Sequence, residues 1–264
     1  MNRGYNDAFL AGSRQVFVAQ WMLALVLVLF LTGCVHEADA ENSVAAAVEA
    51  PNPERAALYN TRLGLAYLKQ GDFPRAKRKL VHALKLAPDY PQANAAMGWY
   101  LEHTGEPAGA DVYYRKAVRN ARESGAQCNN YGAFLCRQGK YNEAQRWFAV
   151  AVRDAAYSNT AGVYENSGLC ARAAGDRTLA TQAFEKALAQ DAGRSQSLEA
   201  LAAMALQDGN ALKARKLLRE HMELTHNDAH LRALAVKAEA MAGKAEFSAQ
   251  DGAQTPGKNY RSKA

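Results

Sequence analysis

The chain has 264 residues, of which 49% are apolar and 22% are charged, and its formal net charge is +6 at neutral pH. This balance is that of a globular protein with room for a core of useful size. The positive charge is spread along the chain, and lysine and arginine residues do not form a stripe interleaved with aromatic residues. We therefore expect no nucleic-acid partner.

The first 33 residues have the pattern of a secretory signal. Arg3 and Arg14 precede an apolar run over residues 16–31, as in the charged and apolar regions of a signal peptide. The alternative is an uncleaved transmembrane helix, for which the run is somewhat short, because a span takes about 20 residues.

The sequence Leu-Thr-Gly-Cys ending at Cys34 resembles the bacterial lipobox. The resemblance implies cleavage after residue 33 and a covalent lipid on Cys34, and two acyl chains attach a protein firmly to a membrane. The following residue is Val35, where an aspartate retains many such lipoproteins at the inner membrane. The resemblance therefore implies the outer membrane, facing the periplasm. Residues 34–53 lack an amphipathic stripe and are predicted to be a flexible tether.

A period of 34 residues organises the rest of the chain. Glycines recur at this step at Gly64, Gly98 and Gly132. Alanines and large apolar residues recur with the same 34-residue step at other positions of the repeat. The series resumes at Gly168 after an insertion of two residues near 155–157. This register resembles the tetratricopeptide repeat, whose two helices approach at small residues and fill the seam between repeats with large ones.

The predicted fold is all-α, a right-handed tetratricopeptide-repeat solenoid of about five helix pairs plus a C-terminal helix. That helix is either half of a sixth repeat or a cap on the open end. Loss of the apolar period predicts a disordered tail at 243–264. The repeat domain is predicted at 54–242, with repeats near 57–90, 91–124, 125–158, 161–194 and 195–228 and the last helix at 227–242.

The chain carries no recognisable catalytic motif. His221, His226 and His230 are close in sequence, but no acidic residue completes a hydrolytic metal motif such as H-E-x-x-H. Phosphate-binding glycine loops and nucleophile elbows are absent as well. We therefore expect a protein that is not an enzyme, with no metal, no small-molecule substrate and no cofactor apart from the lipid on Cys34.

The cysteines leave two interpretations open. Cys136 and Cys170 are expected in the first helices of repeats three and four, where those helices run side by side. In an oxidising periplasm they can form a disulfide, or they can pack as small buried apolar residues. Cys128 is an odd thiol earlier in the same helix as Cys136 and is expected to be buried.

The concave face is the expected binding surface, because stacked first helices line a continuous groove. For any one residue there, ordinary packing between repeats is an equally good interpretation. The residues expected to contact a partner are Leu65, Trp99, Asn129, Ala133, Glu165 and Leu169.

The segments 129–136 (NNYGAFLC) and 165–170 (ENSGLC) resemble the PilF/PilW type IV pilus biogenesis lipoproteins. The resemblance covers residues 31–241 and implies a pilotin, which binds subunits of the pilus secretin and brings them to the outer membrane through its lipid anchor. One alternative is a periplasmic adaptor that docks cell-wall hydrolases or an outer-membrane assembly complex. Another is an enzyme regulator with a bound small ligand.

Overall fold

The computed structural model describes residues 52–253, with side chains described as far as Lys244. This part of the chain forms twelve α-helices and no strand, which confirms the predicted all-α repeat fold. The first ten helices form five consecutive pairs. These are α1 (Pro53–Lys69) with α2 (Phe73–Leu86), α3 (Pro91–His103) with α4 (Pro107–Asn120), α5 (Gly125–Arg137) with α6 (Tyr141–Ala151), α7 (Thr160–Ala173) with α8 (Arg177–Gln190), and α9 (Ser195–Gln207) with α10 (Ala211–Glu220).

The periodic glycines allow the two helices of a pair to approach closely. A Cβ atom at Gly132 would lie 2.8 Å from the ring of Phe148, and one at Gly168 would lie 2.7 Å from the ring of Phe184. Both phenylalanines are almost fully buried, at 2% and 0% exposure. In each of the first four repeats the glycine and the large residue are therefore the two halves of one contact, and this explains why they recur together.

A glycine lies in the turn inside each repeat, and in repeats one, four and five a short polar side chain follows it. Gly139, for example, adopts φ +74°, a left-handed conformation that glycine tolerates without steric cost. In the fourth repeat Asp176 follows the glycine, and its carboxylate accepts a hydrogen bond from the backbone N–H of Leu179 at 2.9 Å. This caps the start of α8 and satisfies one of its free backbone donors.

The two-residue insertion lengthens the connection between α6 and α7. Asp154 lies in this connection, and its carboxylate accepts hydrogen bonds from the backbone N–H groups of Gly125, at 2.7 Å, and Ala156, at 3.0 Å. These bonds hold the pKa of Asp154 below its usual value. The longer connection thus also contacts the first residue of α5.

The core is a series of overlapping clusters along the repeats, as expected for an array in which each repeat contacts its neighbours. One cluster joins repeats one and two, a second runs from repeat two into repeat four, and a third joins repeats four and five to the last helix. Tyr131, Phe134 and Leu198 are among the largest fully buried side chains.

After a short helix, α11 (Met222–Asn227), the last helix α12 (Ala229–Ala253) covers the end of the stack. Leu231, Ala238 and Ala242 are fully buried against repeats four and five. The helix was predicted to end at Ala242, and the structure corrects this. Gly243 does not adopt a positive φ, and the good helix formers Lys244, Ala245 and Glu246 follow it.

The predictions for the two ends of the chain lie outside the described residues. They comprise the signal peptide at 1–33, Cys34, nearly all of the tether and the final residues 254–264. Within residues 52–253, no helix combines the length and the apolar content that crossing a membrane requires.

Candidate functional site

A groove of about 410 Å³ crosses the first helices of repeats one to three. Its apolar wall contains Leu65 from α1, Ala95, Ala96 and Trp99 from α3, and Ala133 from α5. The small alanine side chains project little from their helices, so that space remains open beside the larger Leu65 and Trp99 side chains. The groove therefore offers a shallow apolar surface with two prominent side chains, which suits an apolar segment of another protein.

Contacts within its own helix hold Trp99 in place. The Trp99 and His103 rings meet edge to face with their centroids 4.8 Å apart. Nδ1 of His103 lies 2.9 Å from the backbone carbonyl oxygen of Trp99, at hydrogen-bond distance. The indole is half-buried and orientated before any ligand arrives, which lowers the entropy cost of binding.

One end of the groove is polar and connects repeats two and three. Arg137 on α5 donates two hydrogen bonds to the Glu102 carboxylate on α3, at 2.6 and 2.9 Å. The Tyr114 hydroxyl donates a third, at 3.3 Å. Burial, followed by the charge of Glu102, raises the pKa of Tyr114, so that the hydroxyl keeps its proton and stays a donor. This end is a fixed, hydrogen-bonded boundary of the groove.

Gln127 supplies a buried acceptor that nothing in the described part of the chain satisfies. The residue lines the groove and is only 5% exposed, and its Oε1 atom has no hydrogen-bond partner there. A buried acceptor without a donor costs about 1–3 kcal/mol. A ligand N–H group placed in the groove would remove that cost. Nothing in the sequence pointed to this residue, because a glutamine on a repeat helix is ordinary.

The structure brings together three of the six residues expected to contact a partner. Leu65, Trp99 and Ala133 line the groove. Leu169 instead packs against the core of repeats four and five.

The two remaining residues, Asn129 and Glu165, are engaged with neighbouring repeats. The Oδ1 atom of Asn129 accepts a hydrogen bond from Asn166 at 3.0 Å. Glu165 accepts one from Ser197 at 2.8 Å and pairs with Arg194 at 3.4 Å. These polar side chains connect repeats to one another, as the packing alternative proposed.

A disulfide joins Cys136 on α5 to Cys170 on α7, with the two Cα atoms 5.6 Å apart. Cys128 is the remaining cysteine within residues 52–253, and it is free and fully buried. Burial, with smaller contributions from the charges of Glu123 and Asp154, raises its pKa to about 12. The Cys128 thiol is therefore protonated at neutral pH and is a poor nucleophile.

The histidines near the C-terminal end show no metal-binding arrangement. Nδ1 of His221 lies 3.0 Å from the backbone carbonyl oxygen of Leu217. Among the described residues, no group of three histidine, cysteine or acidic side chains is placed to hold a metal ion.

Comparison with known proteins agrees with the repeat register and the helix pairs. Residues 57–90 match the family model for the tetratricopeptide repeat. The chain is 34% identical to the type IV pilus assembly protein PilF of Pseudomonas aeruginosa over 166 residues, which are 63% of this chain and 64% of PilF. The match thus spans slightly less than two thirds of PilF.

Two solved structures share the fold. PilF of Pseudomonas aeruginosa superposes with a TM-score of 0.64 at 27% identity, over 76% of this chain and 91% of PilF. The chain is a tetratricopeptide-repeat protein that is similar to PilF in sequence and in fold. PilW, a type IV pilus biogenesis factor, superposes with a TM-score of 0.62 over 77% of this chain and 95% of PilW. At 23% identity, PilW shows the fold alone.

Proposed function

We propose that this PilF/PilW-like protein is an outer-membrane lipoprotein that acts as a pilotin in type IV pilus biogenesis. It binds subunits of the pilus secretin and promotes their localisation and assembly in the outer membrane. The similarity to the pilus assembly protein PilF supports the process, and the lipobox-like sequence at Cys34 supports the location.

The groove across repeats one to three carries the binding part of the proposal. Leu65 and Trp99 serve as apolar anchors for a segment of the secretin, and Gln127 accepts a hydrogen bond from its backbone. Main-chain hydrogen bonds combined with apolar contacts are a common way to hold an extended or helical segment. The protein acts as a carrier, with affinity from the groove and destination from the lipid.

Recovery of partners from solubilised membranes tests this function. The tagged protein is used to capture proteins from the detergent-solubilised membrane fraction of the source bacterium. We expect the wild-type protein to recover the secretin and Trp99→Ala to recover at least tenfold less, because truncation removes the main anchor. Val112→Ala is the matched control, since Val112 is 63% exposed on α4 and does not line the groove.

Two outcomes contradict the proposal. Recovery of cell-wall hydrolases or an outer-membrane assembly complex without any secretin favours the adaptor function. Recovery of the secretin to the same extent by Trp99→Ala and wild type assigns binding to another surface.

Location is tested separately with Cys34→Ala. This variant is expected to fold but to leave the outer membrane, since its lipid attachment is lost. Membrane fractionation measures the change, and circular dichroism confirms that the helices remain. A Cys34→Ala protein that stays in the outer membrane without its partner contradicts the anchor.

A further inference from the structure

A second cavity, of about 510 Å³, lies where α4, α5 and α6 meet. We refer to it as the arginine pocket, and it shares no lining residue with the groove. Its residues are Arg115, Val118, Arg119, Arg122, Glu123, Tyr131 and Trp147.

The cations of the arginine pocket are only partly neutralised. Arg115 is paired, because its guanidinium lies 2.7 Å from Asp111 and 3.8 Å from Glu143. Arg119 and Arg122 have neither an ion pair nor a side-chain hydrogen bond within residues 52–253. Two free guanidinium groups at one cavity attract an anion, and arginine matches the planar geometry of a carboxylate or phosphate.

The loop that carries Arg122 and Glu123 is strained. Their φ values are 50° and 60°, and in the described part of the chain no other residue besides glycine has a positive φ. The five turns inside the repeats use glycine for this conformation. Two adjacent side chains held in an unfavourable backbone region are a feature that concentrates at binding and catalytic sites.

Neighbouring groups hold this loop in place. The backbone N–H of Glu123 donates to the carbonyl of Val118 at 3.0 Å. The buried Cys128 thiol donates to the carbonyl of Glu123 at 3.3 Å, and Asp154 accepts from Gly125 at 2.7 Å. The surroundings thus fix the loop so that Arg122 and Glu123 line the pocket.

The remaining walls are apolar. Val118 and Tyr131 are buried, and Trp147 is half-buried with its ring centroid 5.3 Å from that of Tyr131. An anion with a large apolar group beside it fits this combination. Glu123 adds a hydrogen-bond acceptor, which suits the N–H groups of a peptide, whereas a fully ionised phosphate has no donor to offer it.

We propose that the arginine pocket binds an acidic peptide segment of a protein partner. Arg119 and Arg122 pair with a carboxylate of that segment, Trp147 contacts a neighbouring large apolar side chain, and Glu123 accepts a backbone N–H. This second site is independent of the groove and of the proposed pilotin function.

A matched pair of peptides tests the arginine pocket. The full-length protein in neutral detergent is titrated with acetyl-Asp-Phe-Asp-amide and with the uncharged acetyl-Asn-Phe-Asn-amide. The signal is the NMR shift of the Trp147 indole N–H, assigned with Trp147→Phe. We expect saturable binding of the acidic peptide and at least tenfold weaker binding of the uncharged one, because the charge-assisted hydrogen bonds are lost.

Variants locate the site. The double variant Arg119→Ala/Arg122→Ala is expected to weaken binding of the acidic peptide at least tenfold. The double variant Arg78→Ala/Arg172→Ala removes two exposed arginines that do not line the pocket and is expected to bind like wild type. Equal binding of the two peptides, or an unchanged affinity in Arg119→Ala/Arg122→Ala, overturns the proposal.

Lipid vesicles test whether the arginine pocket binds a lipid phosphate instead of an acidic peptide. Vesicles of phosphatidylcholine with and without phosphatidylglycerol are added to the wild-type protein. A Trp147 shift that requires phosphatidylglycerol, together with no shift from the acidic peptide, overturns the proposal in favour of a lipid phosphate. Absence of any saturable shift with peptide or vesicles overturns it as well.

Discussion

The inner face of the repeat array differs between its two halves. Across repeats one to three it is an open groove, with Leu65 and Trp99 beside free space and an unsatisfied acceptor on Gln127. From repeat three onwards the first helices are connected by the Cys136–Cys170 disulfide and by Glu165, which contacts α9 through Arg194 and Ser197. One repeat pattern thus produces an open groove in the first half and first helices that are bonded to one another in the second.

The first test compares large side chains from the two halves. Phe184→Ala is expected to lower the free energy of unfolding by about 3–5 kcal/mol, because it leaves a cavity in a fully buried site. Trp99→Ala is expected to lower it by less than half as much, since the indole is half-buried at the groove. Urea unfolding followed by circular dichroism measures both. Equal losses of free energy in the two variants would show that Trp99 at the groove is packed as tightly as Phe184 in the second half.

Reduction of the disulfide is the second test. Closing a loop of 34 residues is expected to contribute about 2–4 kcal/mol to the free energy of unfolding. Dithiothreitol should therefore lower the urea midpoint of the wild-type protein. The double variant Cys136→Ala/Cys170→Ala is the control and should not respond to the reductant. A wild-type midpoint that reductant leaves unchanged would show that the bond does not brace the array.

A third test concerns the polar contacts of the second half. Glu165→Gln removes the charge opposite Arg194, and both side chains are largely covered, at 14% and 23% exposure. The expected loss is about 1–3 kcal/mol. Glu185→Gln is the matched control, since Glu185 pairs with Lys213 on the exposed surface and should change the free energy of unfolding by less than about 0.5 kcal/mol. Similar losses of free energy in the two variants would show that the covered Glu165–Arg194 pair stabilises the fold no more than the exposed Glu185–Lys213 pair does.

The smallest expected effect is a gain in stability at the groove. Gln127→Met replaces the unsatisfied acceptor with an apolar side chain of similar shape, and the free protein is expected to gain about 1 kcal/mol. The same change should weaken capture of the partner. Thermal unfolding measures the gain in stability, and the membrane capture experiment measures the loss of partner binding. A less stable Gln127→Met protein would show that the amide is already satisfied in the free state.

The sequence predicted the fold well because its register is a packing rule. Gly132 and Phe148 contact each other, so their recurrence located the helix pairs directly. The same register placed Leu65, Trp99 and Ala133 on one face. It could not show that Asn129 accepts a hydrogen bond from Asn166. A repeat period predicts the face on which a side chain lies, but it does not predict which neighbouring side chain will bond to it.

Two features of the structure were not predicted from the sequence. The left-handed backbone of Arg122 and Glu123 occurs where no glycine marks it, and surrounding hydrogen bonds impose it. The length of the last helix was underestimated because the apolar period, from which the helix was predicted, is lost after residue 242. Gly243 does not adopt the positive φ that is typical of a glycine at a helix end, and good helix formers follow it.

Site-specific photocrosslinking tests most directly whether the two halves have different roles. The photoreactive amino acid p-benzoylphenylalanine is placed at position 92, which lines the groove, or at position 172, which is exposed one turn along α7 from Leu169. After irradiation of living cells, adducts to the secretin are quantified by immunoblot. We predict a strong adduct from position 92 and at least tenfold less from position 172. Equal adducts, or an adduct from position 172 alone, would contradict a binding surface confined to the open half.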